Sequence, residues 1–128
     1  MTIAEVGKKY DLTADTLRYY ERIGILPPVT RNSSGNRDYS EEDCRWVHFI
    51  KCMRSAGLSI EVLIEYVSLF QKGYDTVDAR KELLLEQRRQ IESKIEELTN
   101  TLKYLDTKIE GYEERMLKFE ENLKKHEE

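Results

Sequence analysis

An all-α fold, a helical head followed by one long helix, is predicted by three features of this 128-residue sequence. Four short segments before Gly73 carry apolar residues at helical spacing, each opened by Thr or Ser. From Ile91 to Leu123 apolar residues recur at alternating intervals of four and three. From Val77 onward the composition shifts to Glu, Lys, Arg, Leu and Gln, with no proline and a single glycine.

The first helix starts at Thr2, which forms a capping box with Glu5, and Ile3 and Val6 give it an apolar face as far as Tyr10. Asp11 and Leu12 make a short turn. Thr13 then caps a second helix, with Leu12 and Leu17 as its hydrophobic staple. Gly24 suits the left-handed position past its end, and Pro27 and Pro28 forbid continuation. Two short helices across a tight turn make a helix-turn-helix, whose second helix would read DNA. The following NSSGNR stretch, residues 32–37, has loop or hairpin chemistry and reads as a wing ending at Tyr39.

Ser40 opens a third helix with Asp43 as its capping partner and acidic residues at the positive end of the dipole. Trp46, Phe49, Ile50 and Met53 form an apolar stripe read as core, and Gly57 ends the helix. Ser59 caps a fourth helix along which Leu63, Tyr66, Val67 and Phe70 repeat before Gly73. The expected division is a head at 1–73, a hinge turn at 74–77 and a coiled-coil helix at 78–125.

On that last helix Ile91, Ile95, Leu98, Leu102, Leu105, Ile109, Tyr112, Met116, Phe119 and Leu123 form an unbroken heptad seam. At 1.5 Å per residue it would extend roughly 70 Å, too long and too thinly apolar to pack on the head alone. A dimer through this seam is the expectation. Arg88 falls on an a position, where the register loosens or the side chain snorkels. Gly111 sits on an outer position and should cost about 1 kcal/mol without breaking the seam.

Net charge is −4 from 21 basic and 25 acidic residues. The balance argues mildly against a nucleic-acid binder, but its distribution matters more. Between Thr13 and Tyr39 four arginines, Arg18, Arg22, Arg31 and Arg37, face three carboxylates, Asp15, Glu21 and Asp38. On the second helix Leu17 and Tyr20 share one side with Ala14, whereas Asp15, Arg18, Tyr19 and Arg22 fall on the other. Such a face suits phosphates and guanine edges, or simply solvent with ordinary Arg/Asp pairs. A mean hydropathy of −0.70 leaves no bilayer-spanning stretch, no basic apolar leader opens the chain, and two cysteines make no secreted framework. A cytoplasmic protein without membrane contact is expected.

The linked runs TLRYYERIGIL, PP-x-x-R, G-x-R-x-Y and AGLSI, at fixed offsets over roughly the first 70 residues, resemble the DNA-binding domain of the MerR family of bacterial transcription regulators. The resemblance implies a homodimer on a palindromic operator, joined by an antiparallel coil. The second helix would enter the major groove with Thr13, Thr16, Arg18, Tyr19, Tyr20 and Arg22 at bases and phosphates, and Arg31, Arg37 and Tyr39 on the wing. Seam residues Ile91 to Met116 would hold the dimer. MerR-like proteins activate by bending and untwisting promoter DNA for RNA polymerase.

Cys44, His48 and Cys52 lie four apart on one helix, yet Cys44 and Cys52 are two turns apart, about 12 Å, too far to share one metal. No metal and no cofactor is expected. Cys52, beside His48, Lys51 and Arg54, has the cationic surroundings that favour a thiolate reactive toward soft electrophiles, or is a small residue filling a core gap. The string FIKCMRSAGLSI is similar to a MerR branch that answers aldehyde, electrophile or nitrosative stress through a cysteine at this point. That resemblance implies that Cys52 is a sensor thiol. Cys44 has no assigned role. With no phosphate loop, no catalytic triad and His126 in a charged tail, no enzymatic activity is expected. The other readings are a metal-responsive regulator of the same type and a coiled-coil adaptor without effector.

Overall fold

The computed structural model describes the backbone of residues 1–127 and the side chains of residues 1–124, so the side chain of His126 lies outside it. The described chain is helical: α1 (Ile3–Tyr10), α2 (Ala14–Ile23), α3 (Glu41–Ser55), α4 (Ile60–Gln71), a 3-10 turn (Tyr74–Thr76), α5 (Val77–Ile109) and α6 (Tyr112–Glu127). It divides into two compact units, residues 1–88 and 89–128. The first unit therefore extends past the expected boundary at 73 and takes in the opening turns of α5.

Each of α1 to α4 starts where its capping residue lies. Thr2 Oγ1 accepts from the Glu5 amide at 3.2 Å while Glu5 Oε1 accepts from the Thr2 amide at 3.0 Å, a complete capping box. Ser40 and Asp43 repeat it on α3, and Ser59 caps α4 through the Val62 amide. Between α1 and α2 the chain turns at Asp11, a non-glycine residue in the left-handed region at φ 55 whose amide bonds the Gly7 carbonyl. Gly24, at φ 87, closes α2.

Val6, Leu17, Ile25, Leu26, Val29, Val47, Ile50, Leu58, Leu63 and Val67 are buried and make one core. The expected core stripe of α3 is corrected here. Val47 and Ile50 are buried, with Cys44, whereas Trp46, Phe49 and Met53 are half-buried. Trp46 packs instead with Phe49, Tyr66 and Phe70, ring centroids 5.0 to 6.0 Å apart, into an aromatic shelf at the surface. Periodicity marked the right helix face, but the stripe is wide enough that the aromatic rings fall at its edge.

Gly7 lets α1 and the following turn approach closely: a Cβ there would meet the Leu12 carbonyl oxygen at 2.5 Å. That contact is with backbone and cannot be relieved by rotating a side chain. Gly7→Ala should therefore lower unfolding stability by about 2 kcal/mol, read as a shift in the urea midpoint at unchanged m. An unaltered midpoint would show that the turn has room to move.

In the second unit the expected continuous helix is interrupted. α5 ends at Ile109, Gly111 takes φ 66, and α6 begins at Tyr112. Arg115 from α6 donates to the carbonyls of Thr107, Lys108 and Glu110, so the end of α5 is satisfied by a side chain as well as by the glycine turn. Seam residues up to Ile109 thus belong to α5, and Tyr112 and Met116 to α6. Ile95, Leu98, Leu102, Leu105 and Ile109 are between 47% and 68% exposed along one stripe of α5. Among the described residues no helix is long and apolar enough to cross a membrane.

Candidate nucleic-acid interface

Thr13 Oγ1 accepts from the Thr16 amide at 3.1 Å and shares a 2.8 Å hydrogen bond with Thr16 Oγ1, so both expected hydroxyls stand together at the opening of α2. One turn on, Arg18 and Asp15 pair at 3.1 Å with the aspartate almost fully in solvent. Tyr19 is 39% exposed, and the Arg22 guanidinium lies over its ring, 5.4 Å from the centroid. Leu17 is buried on the reverse side, with Tyr20 and Ala14 partly covered. The face carrying Asp15, Arg18, Tyr19 and Arg22 is thus exposed because its opposite anchors the helix.

The wing is a hairpin held by a single antiparallel bridge between Arg31 and Arg37 and by Asp38 N–H donating to the Thr30 carbonyl at 2.7 Å. Asn32 Oδ1 accepts the amides of Ser34 and Asn36, and Gly35 at φ 81 makes the tip.

Glu21 of α2 ties this wing down. Its Oε1 accepts from Arg37 Nε at 2.7 Å and lies 4.0 Å from the Arg31 guanidinium, while Oε2 accepts the Val29 amide at 2.9 Å. Burial pushes the carboxyl up, but the Val29 amide and Arg37 outweigh it and hold Glu21 below its ordinary value. Asp43 does the same from α3. Its Oδ2 accepts the Ser40 and Thr30 amides, and these outweigh its burial to hold it low as well. Neither carboxylate figured among the expected site residues. Glu21 offers no signal on a helical wheel beyond being acidic, whereas Asp43 was visible only as a cap.

Two wing expectations change. Arg37 is engaged with Glu21 and is 23% exposed at its side chain, so it holds the wing to α2 before it can meet any ligand. Tyr39 is 2% exposed, and its hydroxyl is buried without a hydrogen-bond partner. Burial raises its phenol above the ordinary value. The ring is core because the chain turns inward at Tyr39 to start α3, with its amide bonded to the Met1 carbonyl.

On α3, Cys44 is buried with its Sγ 3.8 Å from Met1 Sδ, while Cys52 is exposed with its Sγ 3.7 Å from His48 Nε2. Of the cationic neighbours expected around Cys52, His48 reaches it. Lys51 instead donates to the carbonyls of Tyr10 and Asp11, and Arg54 to that of Leu58. Cys52 lines a groove of about 630 Å³ together with Tyr10, Asp11, His48, Lys51 and Ser55.

Residues 1–69 match the MerR HTH family regulatory protein pattern, and residues 44–108 match the MerR DNA-binding pattern. The chain belongs to the MerR family of helix-turn-helix regulatory proteins. This is a family of regulators and not of enzymes. Among MerR relatives, the HTH-type transcriptional regulator AdhR of Bacillus subtilis is 60% identical over 91 residues, 71% of this chain and 65% of AdhR. The chain thus spans just under two thirds of that relative's length. A MerR family transcriptional regulator from Listeria monocytogenes superposes with a TM-score of 0.85 at 45% identity, covering 99% of this chain and 96% of that one. HiNmlR, a MerR family regulator lacking the sensor domain and solved bound to promoter DNA, superposes at 0.82 with 29% identity, covering 91% and 92%.

Proposed function

We propose that this MerR protein is a homodimeric, DNA-binding transcriptional regulator that activates a promoter by distorting its DNA in response to electrophile, aldehyde or nitrosative stress sensed at Cys52. The observation that carries DNA binding is the exposed Asp15, Arg18, Tyr19 and Arg22 face of α2 beside a wing fixed by Glu21. A helix of this kind presents an arginine fork and a tyrosine to groove edges and phosphates, while the capped wing reaches the flanking backbone. Likeness to HiNmlR, solved on promoter DNA, supports the same use of the head.

Dimerisation follows from the exposed apolar stripe of α5, which has the seven-residue repeat of a coiled coil and would otherwise stay in water. Two heads joined by a coil read a palindrome whose half-site spacing the coil sets. The antiparallel orientation rests on the family resemblance alone. The local charge, four arginines against three carboxylates of which Glu21 absorbs two arginines, is too small for tight binding by one head. Affinity then depends on having two.

For the signal, an exposed thiol with an imidazole 3.7 Å away on an open groove is accessible to a small soft electrophile. RNA polymerase at the same promoter is the proposed partner, and the cytoplasm, where the DNA lies, the proposed location. Run-off transcription from the promoter beside this gene tests the signal. An added small aldehyde should raise transcript several-fold with the wild type and not with Cys52→Ser. An equal response from both proteins removes Cys52 from the mechanism and leaves DNA binding in place.

A further inference from the structure

We propose that Lys51 is the positioning residue that sets the helix-turn-helix angle, and that the groove beside Cys52 is where a thiol substituent acts on that setting. The second half rests on the sensor reading above; the first does not.

Lys51 leaves α3 and places its ammonium on the carbonyls of Tyr10 and Asp11, the latter at 3.2 Å. These are the last carbonyls of α1 and its left-handed cap, groups with no intrahelical partner and the negative end of the helix dipole. Asp11 is a non-glycine residue at φ 55, the left-handed conformation that lets the chain leave α1 and that aspartate tolerates better than most side chains. Two residues later Thr13 caps α2. The entry angle of the DNA-reading helix is therefore decided at Asp11, and a charge delivered from α3 holds that residue in place.

Cys52 follows Lys51 in sequence and opens on the same groove. One wall carries Cys52, His48 and Ser55; the facing wall is Tyr10 and Asp11, with Lys51 reaching across. A substituent on Sγ grows into this space toward the two carbonyls that Lys51 holds. It competes with them for the ammonium, and loss of that hold turns α2 through the Asp11 hinge.

The test uses the full chain, with fluorescence anisotropy on the duplex from its own promoter and on a random duplex of equal length, across a salt series. Lys51→Met should weaken promoter binding about tenfold while leaving random-duplex binding and the salt slope unchanged, and Lys51→Arg should restore most of the loss. A slope reduced by about one unit, with equal losses on both duplexes, would mean that Lys51 meets a phosphate, and would overturn the proposal. So would unaltered promoter binding. In a Cys44→Ala background, iodoacetamide at Cys52 should shift promoter affinity in the wild-type Lys51 protein and have no effect with Lys51→Met. Equal shifts in both would refute the coupling. No shift in either, with the Lys51→Met loss intact, would remove the sensor reading and leave Lys51's positioning role standing.

Discussion

Replacing Leu98 and Leu102 together by aspartate is expected to convert the protein to a monomer and to lower promoter affinity about a thousandfold. The two leucines are 68% and 60% exposed on the apolar stripe of α5, so most of each side chain is uncovered within its own chain. Head folding should therefore survive, visible as an unchanged far-ultraviolet spectrum. In the proposed coil each leucine is buried twice, once per copy. Burial contributes about 1.5–3 kcal/mol per leucine, so four replacements remove more than most dimers of this size have to spare. Four carboxylates brought into one seam add repulsion.

Once the heads separate, the second half-site contact stops being intramolecular, and a loss of about 10² to 10⁴ in avidity follows from effective concentration alone. Sedimentation equilibrium with an anisotropy titration reads both effects. A variant that stays dimeric would show that the stripe is not the interface. A monomer binding as well as the wild type would show that one head suffices, against the weak local charge.

Why some of this was legible in the sequence and some was not can be traced residue by residue. Thr2, Thr13, Ser40 and Ser59 announced helix starts because capping is a local contact between residues three apart. The exposed face of α2 was equally readable, since burial of Leu17 fixes where Arg18 and Tyr19 point. What failed was long-range or conformational. Tyr39 looked like a surface tyrosine in a basic wing, but the inward turn that buries it depends on its backbone pairing with Met1, 38 residues away. Arg37 looked available, and only folding shows Glu21, 16 residues back, beneath it.

Gly111 illustrates the conformational case. Weighed as a helix residue it costs about 1 kcal/mol and leaves the heptads intact. A glycine can instead take φ 66 and end a helix, and Arg115 four residues on supplies the carbonyl cap that favours this outcome. Heptad spacing runs across the break in the sequence alone, because residue counting carries no information on a turn between two helices. The pattern therefore marked apolar residues on both sides of the turn without revealing that they belong to two helices.

Glu21→Ala is expected to destabilise the head by about 2–3 kcal/mol, more than any single alanine substitution on the exposed face of α2. Its loss leaves the Val29 amide without an acceptor and removes the carboxylate from Arg37 and Arg31 together. Glu21→Gln keeps an oxygen for Val29 and should cost less, about 1 kcal/mol. The pH dependence separates charge from shape. Glu21 and Asp43 are both held below their ordinary values when folded, so their stabilisation is fully present above the unfolded carboxylate pKa and drains away as pH falls through the folded ones.

Urea midpoints of wild type and Glu21→Gln should differ at pH 7 and converge as pH falls from the ordinary carboxylate value through the lower folded one, because protonation makes the wild type resemble the variant. Asp43, still present in the variant, leaves a residual acid sensitivity that Glu21→Gln does not remove. Parallel curves, with the variant equally far below the wild type throughout, would show that Glu21 acts through shape alone. In that case the wing arginines are placed by the hairpin and its Asn32 turn, and the Glu21 carboxylate contributes little to setting them on the DNA side of α2.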